Sequence, residues 1–204
     1  MNTKLLQSAI NEYLRKRREN PDYRPELEEL RKTRRDYYQS FTKEKVLTMS
    51  EEDFCHYLDH LWSMMIWRNK KYIVDKLIAD NGFEHIKNQL AELLYGKPPI
   101  DRRWDVFLKS TKGIGAATIS ELLSYADPEE YMILNKITTQ GFAYLGITGL
   151  PKQNSQYTGQ KYTHLCSHAK EIAKTMAESG ILDHDLLAVD YFLWDEIMPL
   201  VEKK

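Results

Sequence analysis

The 204-residue chain has only two cysteines, Cys55 and Cys166, far apart and outside any C-x-x-C spacing. That excludes a disulfide framework and a cysteine-ligated zinc site; the helical periodicity around both residues predicts buried free thiols in a reducing compartment. No run of about 18 consecutive apolar residues is present, and the N-terminus opens on a charge-rich amphipathic segment, which predicts a cytoplasmic protein with neither membrane span nor secretory signal. Alternating segments of strand length are missing, as is any repeat with a period of about 20–50 residues, so the expected class is all-α and not a solenoid. Excess charge is missing too: 29 Lys and Arg against 30 Asp and Glu leave a net charge of −1. Such a balance argues against a polycation that coats nucleic acid.

The charge that is present is segregated. Trp62 to Ser120 carries ten Lys/Arg against six Asp/Glu, whereas Glu178 to Met198 carries six acids and no Lys or Arg. A basic face on a neutral protein is enough for a short DNA footprint, the alternative being ordinary solvated helix surfaces. The C-terminal acids are expected to face away from DNA, toward a partner.

Apolar periodicity predicts a helix over Leu5 to Glu19, with Leu5, Leu6, Ala9, Ile10, Tyr13 and Leu14 on one stripe and a basic end. A charged second helix, Glu26 to Tyr38, has few apolar points and is expected to be thinly attached, a solvated helix with internal ion pairs, the alternative being an arm that contacts DNA through Arg34 and Arg35. Residues 1–48 are accordingly expected as a helical arm preceding a domain over 49–204. Ser50-Glu51-Glu52-Asp53 is a helix start, and Phe54 to Asp80 reads as one long helix or two abutting ones that bury Leu58, Leu61, Trp62, Met65, Ile66, Ile73, Leu77 and Ile78. Asn81-Gly82 ends it. A helix over Phe83 to Leu94 and a loop over Tyr95 to Pro99 follow. Near the C-terminus, Asp185 to Val201 reads as a helix packed on the body, with Trp194, like Trp62, in the core.

Between a helix ending at Val106, Phe107 and Leu108 and another carrying Ile119, Leu122 and Leu123, the segment Lys112-Gly113-Ile114-Gly115 makes a turn too tight for flanking side chains, with Ile114 pointing inward. Main-chain N–H groups at such a turn and at the next helix start are unpaired and point outward, forming an anion site that suits a DNA phosphate. The expected backbone-binding set is Lys109, Thr111, Lys112, Gly113, Ile114, Gly115, Ala116 and Thr118. Contacts of this kind position a protein on DNA without reading sequence.

From Asp101 to Ile147 this pattern resembles the helix-hairpin-helix of the DNA glycosylase superfamily. The resemblance implies a catalytic aspartate opening the helix after the hairpin, but Asn135 stands there, and Ala116-Ala117 holds the place of the lysine of bifunctional members. An amide cannot take a proton from water or balance an oxocarbenium-like sugar, and alanine cannot form a Schiff base, so no excision chemistry is expected. Asn135 is instead a good N-cap for a helix over Lys136 to Leu145, or a hydrogen-bonding group toward an everted base.

From Leu61 onward, Trp67-Arg68-Asn69, the hairpin, Ser120-Glu121-Leu122-Leu123, Pro128 to Asn135, Leu145-Gly146-Ile147 and Asp190 to Trp194 resemble the N-terminal DNA-recognition domains of McrB-type AAA+ GTPases in modification-dependent restriction systems. The resemblance implies an all-α, two-lobed, glycosylase-like fold and recognition of a methylated or hydroxymethylated cytosine by base eversion. A GTPase motor and a nuclease subunit are implied as partners beside double-stranded DNA. No Walker A sequence occurs in this chain, and no cofactor is implied. The candidates for a base pocket are Trp67, for stacking, with Asn69, Asn135 and Lys136.

Other constellations are weaker. His56 and His60, like His164 and His168, stand four apart but lack a third ligand in a metal-binding pattern, and Cys166 lies two residues from either histidine, on a different helix face. Gly149 to Gln160 is a polar loop whose Lys152, Gln153, Asn154 and Gln156 are candidates to reach a groove. The alternatives are a DNA repair glycosylase using unrecognised acids and a protein-interaction domain whose hairpin only packs helices.

Overall fold

The computed structural model describes residues 1–20, 23, 25–65 and 68–202, with the side chains of 25 and 26 outside that description. The described chain is helical without a strand. α1 (Thr3–Glu19) is capped by Asn2, whose side chain accepts the Leu5 N–H, and buries Leu6, Ala9 and Ile10. The Asn2 N–H donates to the Leu145 carbonyl at 2.6 Å, which seats the start of the chain on its centre. α2 (Pro25–Gln39) is followed by α3 (Lys43–Thr48) and α4 (Glu51–Asp59), the last begun by a reciprocal capping box between Ser50 and Asp53.

α4 does not run on into the next helix. After Asp59 the chain turns through a single 3-10 turn at Trp62–Met64 and resumes as α5 (Lys70–Asn81), capped by Asn69. The expected buried set is therefore split: Leu58, Leu61 and Leu77 are buried, Trp62 is 40% exposed, Met65 is exposed, and Met64 and Val74 take core positions instead. A helical stripe cannot continue across a change of backbone direction, so periodicity misplaced Trp62 and Met65. Ile66 and Trp67 lie outside the described residues.

α6 (Phe83–Tyr95) and α7 (Ile100–Ser110) lead to α8 (Ala116–Ala126), the hub of the fold, which packs against α2, α6, α11 and the 3-10 turn. α9 (Lys136–Tyr144) and α10 (Gly159–Glu178) follow, α10 lying along α7, where Trp104 stacks on Tyr162 with centroids 4.0 Å apart. The C-terminal stretch is α11 (Leu186–Phe192), a π-helical turn (Leu193–Ile197) and α12 (Met198–Val201). The extra residue in the π turn rotates the side chains after Phe192. Asp195, Glu196 and Ile197 turn inward and Trp194, expected in the core, is 54% exposed.

Residues 1–48 contribute Leu6, Ile10, Tyr38 and Val46 to the same buried cluster as the rest of the chain. α2 is anchored by Tyr38, which stacks on Tyr125 at 4.7 Å and donates to the Tyr57 carbonyl at 2.6 Å. Its arginines are not solvated: Arg31 Nη1 lies 2.9 Å from Asp195 Oδ2 and Arg35 Nη2 3.0 Å from Asp185 Oδ2. With Lys16 on Glu196 at 2.6 Å, the C-terminal acids face the N-terminal helices rather than an external partner. No helix among the described residues is long and apolar enough to cross a membrane.

Candidate nucleic-acid interface

The turn between α7 and α8 follows from two glycines that do different things. Gly113 has φ of 86°, and a Cβ there would come within 2.5 Å of Leu77 Cδ2, so the backbone path itself requires glycine. Gly115 has φ of −100° and open space where a Cβ would stand. Local packing makes no demand for it; what it does is leave the start of α8 bare. As the residue before Ala116 it offers no side-chain oxygen, and α8 has no side-chain cap. Its first-turn amides carry the partial positive charge of a helix N-terminus.

The loop is held from behind. Ile114 is buried, and Asn81 at the end of α5 accepts the Lys112 N–H at 2.7 Å while donating to the Lys112 carbonyl at 3.0 Å and the Leu77 carbonyl at 2.8 Å. The outer side is open: Lys109, Lys112, Gly113 and Gly115 are exposed. On the neighbouring α5 the lysines are matched, Lys70 with Asp59, Lys71 with Asp75 and Lys76 with Asp80, whereas Lys109 and Lys112 enter no ion pair among the described residues. Of the other hairpin residues, Thr111 and Ala116 are buried and Thr118 half-buried, and Thr111 Oγ1 has no hydrogen-bond partner among the described residues. These side chains face inward, leaving the main chain and the two lysines as the surface an anion meets.

The residues proposed for a base pocket have structural engagements. Asn69 Oδ1 accepts the Tyr72 N–H at 3.0 Å as the cap of α5. Asn135 Oδ1 caps α9 through the Thr138 N–H at 2.9 Å, and its Nδ2 donates to Asp190 Oδ1 at 3.3 Å. Lys136 is exposed beside it. The preceding Leu134 N–H donates to Ser120 Oγ at 2.8 Å, so Asn135 is tied to α8 one turn past the hairpin. Trp67 lies outside the described residues.

Beside Asn135 the fold assembles a buried polar group that sequence reasoning missed. Burial pushes the Asp190 carboxyl up to about 7, against the opposing effect of the Asn135 amide. Glu121, nearly fully buried on α8, is also raised by burial although it accepts the N–H groups of Trp62 at 2.6 Å and Ser63 at 3.0 Å. Arg34 lies 3.8 Å over the Trp62 ring, and Arg31 3.9 Å over Tyr191. The available signal was complementary: an acidic segment without Lys or Arg, Glu178 to Met198, and an arginine stripe on α2, each readable alone as solvated surface.

Comparison with protein-family models, curated proteins and solved structures finds no match. The function therefore rests on the chain's own chemistry. A cavity of 630 Å³ opens between α1, α2 and α11, lined among others by Tyr13, Arg17, Arg31, Arg35, Tyr191 and Asp195. No hairpin residue lines it, so cavity size and the anion-binding geometry point to different places; the hairpin carries a charge preference that the mixed lining of the cavity lacks. No cluster of three metal-ligating side chains occurs among the described residues. Cys55 is half-buried and Cys166 buried, the latter's thiol pushed up to about 11 by burial, an inert rather than nucleophilic state.

Proposed function

We propose that the chain is a noncatalytic DNA-binding module of glycosylase-like, two-lobed helical architecture. It grips one strand's phosphates with the hairpin and recognises a modified base, a methylated or hydroxymethylated cytosine, by eversion. Within the cytoplasm it serves as the specificity domain of a restriction or defence system, with an AAA+ GTPase motor and a nuclease as partner subunits. The observation that carries the reading is the uncapped start of α8 behind an exposed Gly113 and Gly115, flanked by two lysines that enter no ion pair among the described residues. An unpaired helix terminus beside uncompensated positive charge suits a phosphate, and it supplies affinity independent of sequence.

A second reading, a DNA glycosylase, is favoured by one observation: the Asp190 carboxyl lies on the Asn135 amide, near where the glycosylase resemblance expects an aspartate. One experiment separates the two. The chain is titrated against otherwise identical duplexes carrying cytosine, 5-methylcytosine or 5-hydroxymethylcytosine, and the same mixtures are assayed for free base. Preference for one duplex without base release supports the recognition module. Released base supports the glycosylase, and equal binding to all three removes the modified-base reading.

A further inference from the structure

The hub helix α8 carries more than the hairpin. Its N-terminal end is the anion site, and Glu121 stands five positions along it, about 7.5 Å further down the axis. Glu121 fixes the 3-10 turn that presents Trp62, while Ser120, its neighbour, holds the strand-like approach to Asn135. The helix that begins at the anion site thus also fixes the turn carrying Trp62 and the approach to Asn135.

Behind Trp62 lies a group of buried polar atoms without hydrogen-bond partners among the described residues: Arg34 Nη1, the Tyr125 hydroxyl and the Tyr191 hydroxyl. They come from α8 and the two helices, α2 and α11, that pack on it. The Tyr125 hydroxyl feels the charges of Glu121, Arg34 and Asp190 and the hydroxyl of Tyr191. Leaving a buried hydroxyl or guanidinium N–H unpaired costs about 1–3 kcal/mol each, so three such groups, from α2, α8 and α11, call for polar atoms, of ordered water or of a ligand, to meet them. A nucleobase matches the set, because its edge presents alternating donors and acceptors and its face stacks on an aromatic ring. Arg34, flat on Trp62, already occupies a stacking position, with one face of the partly exposed ring covered by a planar cation.

We propose that an everted nucleobase is received between α2, α8 and α11, stacked on Trp62 and hydrogen-bonded by Asp190, Arg34 and the hydroxyls of Tyr125 and Tyr191. The inference rests on the DNA-binding reading and moves the base site from Trp67 and Asn69 to residues contributed by α2, the 3-10 turn, α8 and α11. Arg34 withdraws from Trp62 as the base enters.

A duplex with one extrahelical cytosine is the probe, since its base is already unstacked and no modification has to be guessed. The fully paired duplex of the same sequence is the reference. The bulged duplex should bind about tenfold more tightly, the ratio expected from one stacking contact. Trp62→Ala should bring that ratio to unity with affinity for the paired duplex unchanged, and Trp62→Phe should restore most of it. Tyr125→Phe should lower the ratio several-fold without lowering the melting temperature, because it deletes a hydroxyl that has no hydrogen-bond partner among the described residues; this variant stays informative if Trp62→Ala misfolds. A ratio of unity in the native protein, or one that survives both Trp62→Ala and Tyr125→Phe, overturns the proposal while paired-duplex binding persists. Loss of all DNA binding in the native chain overturns the underlying reading as well.

Discussion

Gly115→Asp is the perturbation that best separates a phosphate site from a merely structural turn. The position tolerates a side chain: φ is −100°, and no atom lies within 4 Å of where a Cβ would stand. Aspartate is among the best N-caps, worth a few tenths of a kcal/mol over glycine there, and its charge at the helix start adds about 0.3–1 kcal/mol. Together they stabilise the fold by about 0.5–1 kcal/mol, which for a chain of this size raises the melting temperature by about 1–4 °C. The same carboxylate takes the amides that a DNA phosphate would use. Losing one charge-assisted hydrogen bond costs about 1.5–3 kcal/mol, so DNA affinity should fall about ten- to a hundredfold. Thermal melts and fluorescence anisotropy with a labelled duplex read the two effects separately. A variant that melts higher and binds DNA as tightly as the native chain refutes the assignment of α8's terminus as the phosphate site.

The buried polar group makes two further predictions. Asp190 is raised from the ordinary aspartate value of 3.8 to about 7, so its contribution to stability is fully present below about pH 4 and is lost as pH rises through about 7. The gap of about three units corresponds to about 4 kcal/mol. Asp190→Asn should therefore be more stable than the native chain at about pH 8 and should lose that advantage toward pH 4, measured by urea unfolding across the range; identical pH profiles would place the carboxyl in solvent. Arg31→Met removes a cation from the buried Asp195 and a ring partner from Tyr191, and should cost about 3 kcal/mol. A loss below about 0.5 kcal/mol in the same assay would mean that the Arg31–Asp195 pair adds nothing to stability.

Local features of this chain were legible before the structure. Ser50 starts α4, Asn81-Gly82 ends α5, Ile114 is buried between two exposed glycines, and Asn135 caps α9, because each depends on residues within a few positions of one another. What escaped depends on distance or on backbone direction. The apolar rhythm from Phe54 to Asp80 is continuous while the chain breaks after Asp59, so Trp62 was assigned to a core it does not enter. The π turn at Leu193 shifts the helix face by packing, not by any residue preference, and carries Trp194 outward. Arg31 and Asp195 are more than a hundred residues apart, and no local pattern links a solvated-looking arginine stripe to the acids it covers.

Salt dependence of duplex binding tests the central claim most directly. If the hairpin holds phosphates with its amides and with Lys109 and Lys112, log affinity should fall linearly with log salt, and Lys109→Gln with Lys112→Gln should reduce that slope by about 2 while leaving the fold's stability unchanged. No measurable binding at low salt, or an unaltered slope in the double variant, would contradict it.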